Sequence, residues 1–289
     1  MKKRIGIDIG GTKIQMGLVL GDTILKKAKA PTPTSAKDGL LLIETLLNEL
    51  TKGEKIESIG IGVAGFIDLK KGEIISSPNL PHWNGFPLQR AMEERFERAI
   101  FVDNDVNCAT LVEARFGSAA GKKNIVGIFV GTGIGGGMLI DGKLIHGAAW
   151  SGVEIGHITI DPKGPVCRCK RKGCLEAYSG GWAIMKYARQ GVKDVDEVVR
   201  AAEEGRRWAN LSLERAGKAL SLAIANLITI LSPEVVILGG GVIKSAPCIF
   251  EMVKTQVPLI ALPIAMRGVE IKVAKFKEEA GLLGASLLD

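Results

Sequence analysis

Residues 4–20, RIGIDIGGTKIQMGLVL, read as two β-strands joined by a glycine-rich turn. Ile5, Ile7 and Ile9 alternate along the first strand, the turn is DIGGTK (8–13), and the second strand runs to Leu20. Gly21-Asp22 then turns the chain into a third strand over 23–29. Because these glycines join strand to strand, the turn is neither the strand-to-helix fingerprint of dinucleotide folds nor a Walker loop. It exposes backbone N–H groups at Gly10, Gly11 and Thr12, a concavity suited to phosphate oxygens. Asp8, at the strand end, is placed to hold Mg²⁺ through water. Taken alone, an ordinary hairpin with a strand-end Asp explains the turn equally well.

A second copy of the pattern decides the architecture. At an offset of 121 residues, Gly6-Ile7-x-Ile9-Gly10 matches Gly127-Ile128-x-Val130-Gly131. The match continues without a gap through Leu18/Leu139, Val19/Ile140, Gly21/Gly142 and Ile24/Ile145. Both halves therefore open on a three-stranded meander with a glycine-rich first turn, the second being VGTGIGGG (130–137). Duplication is the reading that explains this. Two such units facing each other form a cleft with a phosphate-binding hairpin on each wall.

Outward from the first meander, apolar residues at helical spacing predict a helix over 37–51 and alternation predicts a strand over 56–63, ending at Ala64-Gly65. The loop ISSPNLPHW (75–83) follows, with Asn79 and the nearby Asn84 available to recognise hydroxyls. A helix over 87–98 and a strand over 99–102 deliver Asp103-Asn104-Asp105 onto a helix over 106–116. Asp and Asn are good N-caps, but three in a row exceed what one cap needs. A carboxylate at the C-terminal end of an α/β strand is also where ligand sites lie. In the second half, helices are expected over 176–189, 194–204 and 206–231, then a strand over 234–238 running into Gly239-Gly240-Gly241. That triplet lets a nucleotide base or ribose approach the backbone, or makes a tight turn. A strand over 269–275 and a helix over 279–288 close the chain, the helix packing back on the first half. His82 and His146 stand outside any cluster and read as loop or core histidines.

The stretch SGVEIGHITIDPKGPVCRCKRKGCLEA (151–177) says most about chemistry. His157, Cys167, Cys169 and Cys174 are the ligand types zinc prefers, and four of them close a tetrahedral structural site. The loop is short, polar and punctuated by Gly164, Pro165 and Gly173. With little core of its own, its shape is expected to depend on the metal. Glu154 and Glu176 flank the ligands, so the metal is expected to fix a turn that presents carboxylates.

Composition narrows the setting. With 289 residues, 46% of them apolar and 24% charged, the chain holds one large domain or two of ordinary size. A net charge of +7 suits anionic ligands, and the basic residues are dispersed apart from CRCKRKGC, which argues against nucleic acid. Asp8 interrupts the apolar run after Met1-Lys2-Lys3-Arg4, which speaks against a secretory signal. The apolar stretch 219–231 is too short to span a bilayer. Five cysteines, an odd number, point to a reducing cytoplasm.

Motif by motif, the chain resembles the ROK family of sugar kinases within the hexokinase/actin-like superfamily, almost end to end. The motifs are DIGGTK (8–13), GVAGFID (62–68), SPNL (77–80), DNDVNCA (103–109), GTGIGGG (131–137), EIGH (154–157) and CRCKRKGCLE (167–176). One departure is Lys170, where the family usually has Gly after the second Cys. The resemblance implies an α/β fold of two ribonuclease-H-like, actin/hexokinase-type domains around a cleft. These are 1–116, completed by the C-terminal helix 277–289, and 117–276, which carries the zinc loop. It implies an ATP-dependent hexose kinase using Mg²⁺ and structural Zn²⁺, with Asp105 as general base. Gly65, Asn79, Asn104, Asp105, Glu154, His157 and Glu176 are the implied sugar contacts. Asp8, Gly10, Gly11, Thr12, Lys13, Thr132, Gly133 and Gly240 are the implied nucleotide contacts. Glucose at its 6-hydroxyl is the leading substrate, with N-acetylmannosamine or another hexose as the alternative. A sugar-sensing regulator without turnover is the alternative from another class. The repressor branch carries a helix-turn-helix ahead of DIGGT, whereas seven residues precede Asp8 here. A cytoplasmic homo-oligomer, dimer or tetramer, that binds neither DNA nor membrane is therefore expected.

Overall fold

A computed structural model describes residues 2–289. The chain divides into two compact units, each built on a five-stranded sheet. The first comprises Met1–Gly121, Leu144–Gly152 and Phe276–Asp289, and the second Lys122–Lys143 and Val153–Lys275. Against the expected division, 1–116 with 277–289 and 117–276, the first unit runs on to Gly121 and also takes in Leu144–Gly152.

In the first unit, β1 (Arg4–Ile9), β2 (Lys13–Leu20) and β3 (Thr23–Pro31) form the meander. Helix α1 (Ala36–Leu50) follows, its N-terminus capped by Ser35 Oγ, which accepts from Asp38 N at 3.3 Å. Leu40, Ile43 and Leu47 on its inner face are fully buried, each contributing about 1.5–3 kcal/mol of transfer free energy. Next come β4 (Ser58–Val63), the small hairpin β5 (Phe66–Asp68) and β6 (Glu73–Ser76), α2 (Leu88–Glu93), β7 (Ala99–Asn104) and α3 (Asp105–Phe116). The expected helix over 87–98 stops at Glu93. Its apolar anchors Leu88, Ala91 and Met92 lie in the first turns, and in the charged run beyond only Phe96 packs on the core. The sheet order is β3-β2-β1-β4-β7, with β1, β4 and β7 parallel.

The second unit repeats this pattern. Strands β8 (Ile125–Val130), β9 (Ile134–Ile140) and β10 (Lys143–Leu144) form its meander. After α4 (Glu176–Ser179), α5 (Gly181–Ala188), α6 (Val195–Glu203) and α7 (Arg207–Leu231) come β11 (Val235–Gly239), α8 (Gly241–Ser245), α9 (Pro247–Ile260) and β12 (Glu270–Val273). The order β10-β9-β8-β11-β12 places β8 between an antiparallel β9 and a parallel β11, as β1 lies between β2 and β4. The match is not gapless, however. The first turn separates the pair Ile9↔Ile14, and the second the pair Val130↔Ile134, one residue tighter. The single helix expected over 176–189 is broken at Gly180, whose extended backbone lets Gly181 N reach Gly131 O at 2.9 Å. Helices α8 and α9 were not foreseen, although Ile249, Val253 and Val257 form a buried stripe along α9.

The last helix, α10 (Ala280–Ala285), belongs to the first unit. It lies so close on the sheet that a Cβ on Gly6 would collide with Leu282 O, and one on Gly60 with Ala285 O. Buried Glu113 secures the returning chain, accepting from Phe276 N at 2.7 Å with one oxygen and from Ser118 N at 2.7 Å with the other. Among the described residues, no helix is long and apolar enough to cross a membrane.

Candidate functional site

The parallel strands of the first unit bring three carboxylates to one edge. Asp8 on β1, Gly62 on β4 and Asp103 on β7 share one row of the sheet, so the two aspartates stand two strands, roughly 10 Å, apart. Asp105 follows as the first residue of α3. Beneath them Cys108 is fully buried, and burial, then the negative charges of Asp103, Asp105 and Asp8, hold its thiol pKa well above the ordinary value. Burial likewise raises the pKa of Asp8, against Gln15, whose amide donates to it at 3.4 Å, and the charge of Lys13.

Every member of the Asp103-Asn104-Asp105 run has its own task. Asn104, not Asp105, is the N-cap of α3: its Oδ1 accepts from Val106 N at 2.8 Å and from Asn107 N at 3.3 Å. Its Nδ2 donates to Gly65 O at 3.0 Å, tying the end of β4 to the helix start. Asp105 Oδ1 also accepts from Val106 N at 3.0 Å. Buried Asp103 accepts from Asn104 N at 2.6 Å and from Asn107 Nδ2 at 2.8 Å, and pairs with His146 Nε2 at 2.7 Å. His146 is therefore more than a bystander of the loop.

Around the first glycine turn, Gly10 N donates to Lys13 O at 3.0 Å and Thr32 Oγ1 to Gly10 O at 2.7 Å, while Gly11 and Thr12 are exposed. Lys13 Nζ lies 3.8 Å from Glu278. Asn79 is exposed beside Gly11. Its loop is pinned by Ser77, which donates to Ala64 O at 2.5 Å and accepts from Leu80 N at 3.1 Å. Asn84, expected to be available for hydroxyls, accepts from Ser77 N at 2.8 Å and so holds the same loop. Gly65, at φ +136°, is required because a Cβ would press on Ser76 and Ser77.

In the second unit the glycine turn 131–133 and Gly240 meet at the C-terminal ends of β8 and β11, where a Cβ on Gly240 would strike Val130 O. Glu176, buried at the start of α4, clamps this turn: Oε2 accepts from Ile134 N at 3.1 Å and Oε1 from Trp182 Nε1 at 3.2 Å. Trp182 N in turn donates to Thr132 O at 3.2 Å. A Cβ at 133 would run into Glu176 Oε2, so a side chain there would have to displace that carboxylate.

His157, Cys167, Cys169 and Cys174 converge, with one donor atom from each lying within 4.8 Å of the others. His157 Nδ1 is 3.8 Å from Cys167 Sγ, and Cys169 Sγ is 3.6 Å from Cys174 Sγ. Tetrahedral zinc with bonds of about 2.3 Å has edges of about 3.8 Å, so donor set and spacing are compatible with it. Burial pushes the Cys167 thiol up to about 12. The loop is better supported than its composition suggests. Cys167 N donates to Arg171 O at 2.8 Å and Gly173 N to Pro165 O at 2.8 Å. Cys167 and Cys174 pack with Ala177, Trp182 and Ala183 in a small core. Glu154, three residues before His157, centres an inverse γ-turn at φ −73°, ψ 61°, closed by Ile155 N to Val153 O at 2.7 Å. Though the residue is exposed, burial of its carboxyl raises the pKa, His157 opposing and Glu176 reinforcing the shift. Each unit thus gathers its own share of the candidates; Asp103 was marked by sequence as part of the run 103–105, whereas Ser77 and the pairing of His146 with Asp103 have no spacing that marks them.

Paired meander-based α/β units with a glycine turn in each, and carboxylates at the strand ends, define a protein of the two-domain actin/hexokinase-like class. The structure is similar to the ROK hexokinase from Thermus thermophilus, with a TM-score of 0.89 and 34% identity over 99% of this chain and 97% of that one. It is also similar to a ROK family glucokinase from Streptomyces griseus in complex with glucose and AMPPNP, with a TM-score of 0.84 and 30% identity over 99% of both chains. The ROK family model matches residues 4–289, and the chain belongs to that family. The glucokinase of Thermotoga maritima is 35% identical over 98% of this chain and 96% of its own.

Proposed function

We propose that this chain is an ATP-dependent hexose kinase that transfers the γ-phosphoryl group of ATP to the 6-hydroxyl of glucose, with Asp105 as general base. The observation that carries the reading is the position of Asp105. It begins α3 at the C-terminal edge of parallel strands, near Asp8, while the capping task falls to Asn104. A carboxylate in that place can take the hydroxyl proton as the new P–O bond forms, which is worth ~10²–10⁴ in rate. Likeness to glucokinases over the whole chain, one of them in complex with glucose and AMPPNP, supports glucose as acceptor and ATP as donor.

Gly65, Asn79, Asn104, Glu154, His157 and Glu176 are assigned to the sugar. His157 faces the cysteines with Nδ1, which leaves Nε2 for a hydroxyl. Backbone N–H groups of Gly11 and Thr12, with Lys13, are assigned to the phosphates, while the Gly10 N–H, expected to be exposed, is taken up by Lys13 O and shapes the turn; Thr132, Gly133 and Gly240 are assigned to the rest of the nucleotide. Mg²⁺ bound through Asp8 would neutralise phosphate charge. Zinc on His157, Cys167, Cys169 and Cys174 would hold the loop that carries Glu176. A reducing cytoplasm is the assigned place of work, on the odd number of cysteines.

The test is an assay of ADP release over a panel of hexoses, N-acetylmannosamine included, with ATP and with polyphosphate. Fastest turnover on glucose with ATP is expected. Sugar binding without ADP release would replace the kinase by a sensor.

A further inference from the structure

We infer that His146 is a positioning residue for phosphoryl transfer, holding Asp103 and through it the turn that presents Asp105. The inference rests on the assignment of Asp105 as base.

Asp103 is buried, so each of its oxygens needs a partner. Its own turn supplies partners for Oδ1 alone: Asn104 N at 2.6 Å and Asn107 Nδ2 at 2.8 Å. The partner of Oδ2 comes from 43 residues along the chain, His146 Nε2 at 2.7 Å. A carboxylate only accepts, so with Asp103 in that form Nε2 is the donor of this bond. Among the described residues, no buried side-chain nitrogen or oxygen lacks a partner, so removing His146 would leave Oδ2 as the exception.

The connection runs on to the reacting groups. Asn104, fixed at its N–H by Asp103, holds Gly65 O with its amide and caps α3, whose first residue is Asp105. Rotation of Asp103 would therefore tilt the cap, the Gly65 turn and Asp105 together. His146 is itself held in place. Gly152 N donates to His146 O at 2.8 Å, closing the loop 146–152, and the imidazole lies 6.2 Å from the Trp150 ring. The segment Leu144–Gly152 belongs to the first unit, although the chain on either side of it belongs to the second. Directly after it come Val153, at an uncommon φ of +62°, and Glu154. One hydrogen bond thus links the base-bearing turn with the segment that runs into a sugar-ligand candidate.

The experiment compares His146→Ala, His146→Gln, Asp103→Asn and the double variant His146→Ala/Asp103→Asn in the full chain, with glucose and ATP varied separately and thermal midpoints recorded. For His146→Ala, kcat is expected to fall about 10- to 100-fold, the scale of an ångström of misplacement. Its KM for ATP should stay within about twofold, because the phosphate turns are not on this path. His146→Gln keeps a side-chain N–H for Asp103 and should recover most of the loss. The double variant should lose no more than the worse single one, as partners in one contact do. A lowered midpoint with unchanged turnover makes His146 merely structural and overturns the proposal. So does a loss that glutamine fails to recover, or one that adds in full to Asp103→Asn. Asp105→Asn is measured alongside. If it turns over normally, the base assignment falls and this role with it; if it is inactive while His146→Ala is normal, only the positioning role falls.

Discussion

Gly11 and Asn79 touch: a Cβ built on Gly11 would lie 2.8 Å from the carbonyl oxygen of Asn79 and 2.9 Å from its Cβ. The first glycine turn and the SPNL loop are therefore packed against each other, and a side chain at 11 must displace one of them. Gly11→Ala should weaken ATP and glucose together, with displacement near an ångström costing up to ~10²-fold. Titration of glucose alone into the variant checks this; wild-type glucose affinity would show that the Asn79 loop is not displaced.

Asp105→Asn tests the chemistry with little disturbance of the fold, because Asn104 caps α3 and remains. Turnover should drop by ~10²–10⁴ while the KM for glucose moves far less. Stopped-flow measurement of the chemical step decides it. A variant keeping more than about a tenth of the rate would point to another base, with Glu154 the first candidate.

Lys170 has a φ of +69°, in the left-handed region where glycine is at ease, and this explains why it reads as a departure at that position. Lys170→Gly should relieve about 1–2 kcal/mol of strain. Glycine's extra freedom in the unfolded chain offsets about 0.5–1 kcal/mol of that. A small rise in thermal midpoint, with slower amide exchange across Cys167–Cys174, is expected. A lower midpoint would count against the strain.

The purified protein should carry about one zinc per chain, and Cys169→Ala should lose it. Since Glu176 clamps Ile134 N while its other oxygen lies 3.8 Å from Cys167 Sγ, loosening the loop should raise KM for both glucose and ATP. Metal analysis with parallel kinetics checks this; fully active, zinc-free protein would remove the assignment.

Gly60→Ala places a methyl group against Ala285 O and should push α10 off the sheet, costing about 1–3 kcal/mol. Denaturant titration measures it. An unchanged midpoint would mean that the helix has room to shift.

Both meanders were legible because strand alternation and glycine turns are local signals, and their repetition at one offset removes ambiguity. The cysteine cluster was legible because ligand chemistry is rare and closely spaced. What escaped depends on partners distant in sequence. No local pattern says that Asn84 is occupied by Ser77 N, that Asn104 rather than Asp105 caps α3, or that His146 meets Asp103. The offset between the halves also hid a residue, since matching side chains do not reveal that one turn is tighter.

Helix α10 has a bearing on how the protein is made. Gly6 and Gly60, on two of the earliest strands, are covered by Leu282 and Ala285, and Glu113 receives the chain at Phe276. During synthesis, the sheet that emerges first is covered on one face by α3 alone until residues 276–289 have left the ribosome. The second unit's segments, ending at Lys275, are complete before that. The usual order, in which the N-terminal part of a chain matures first, is therefore reversed here. The half that carries Asp105 is completed after the other one.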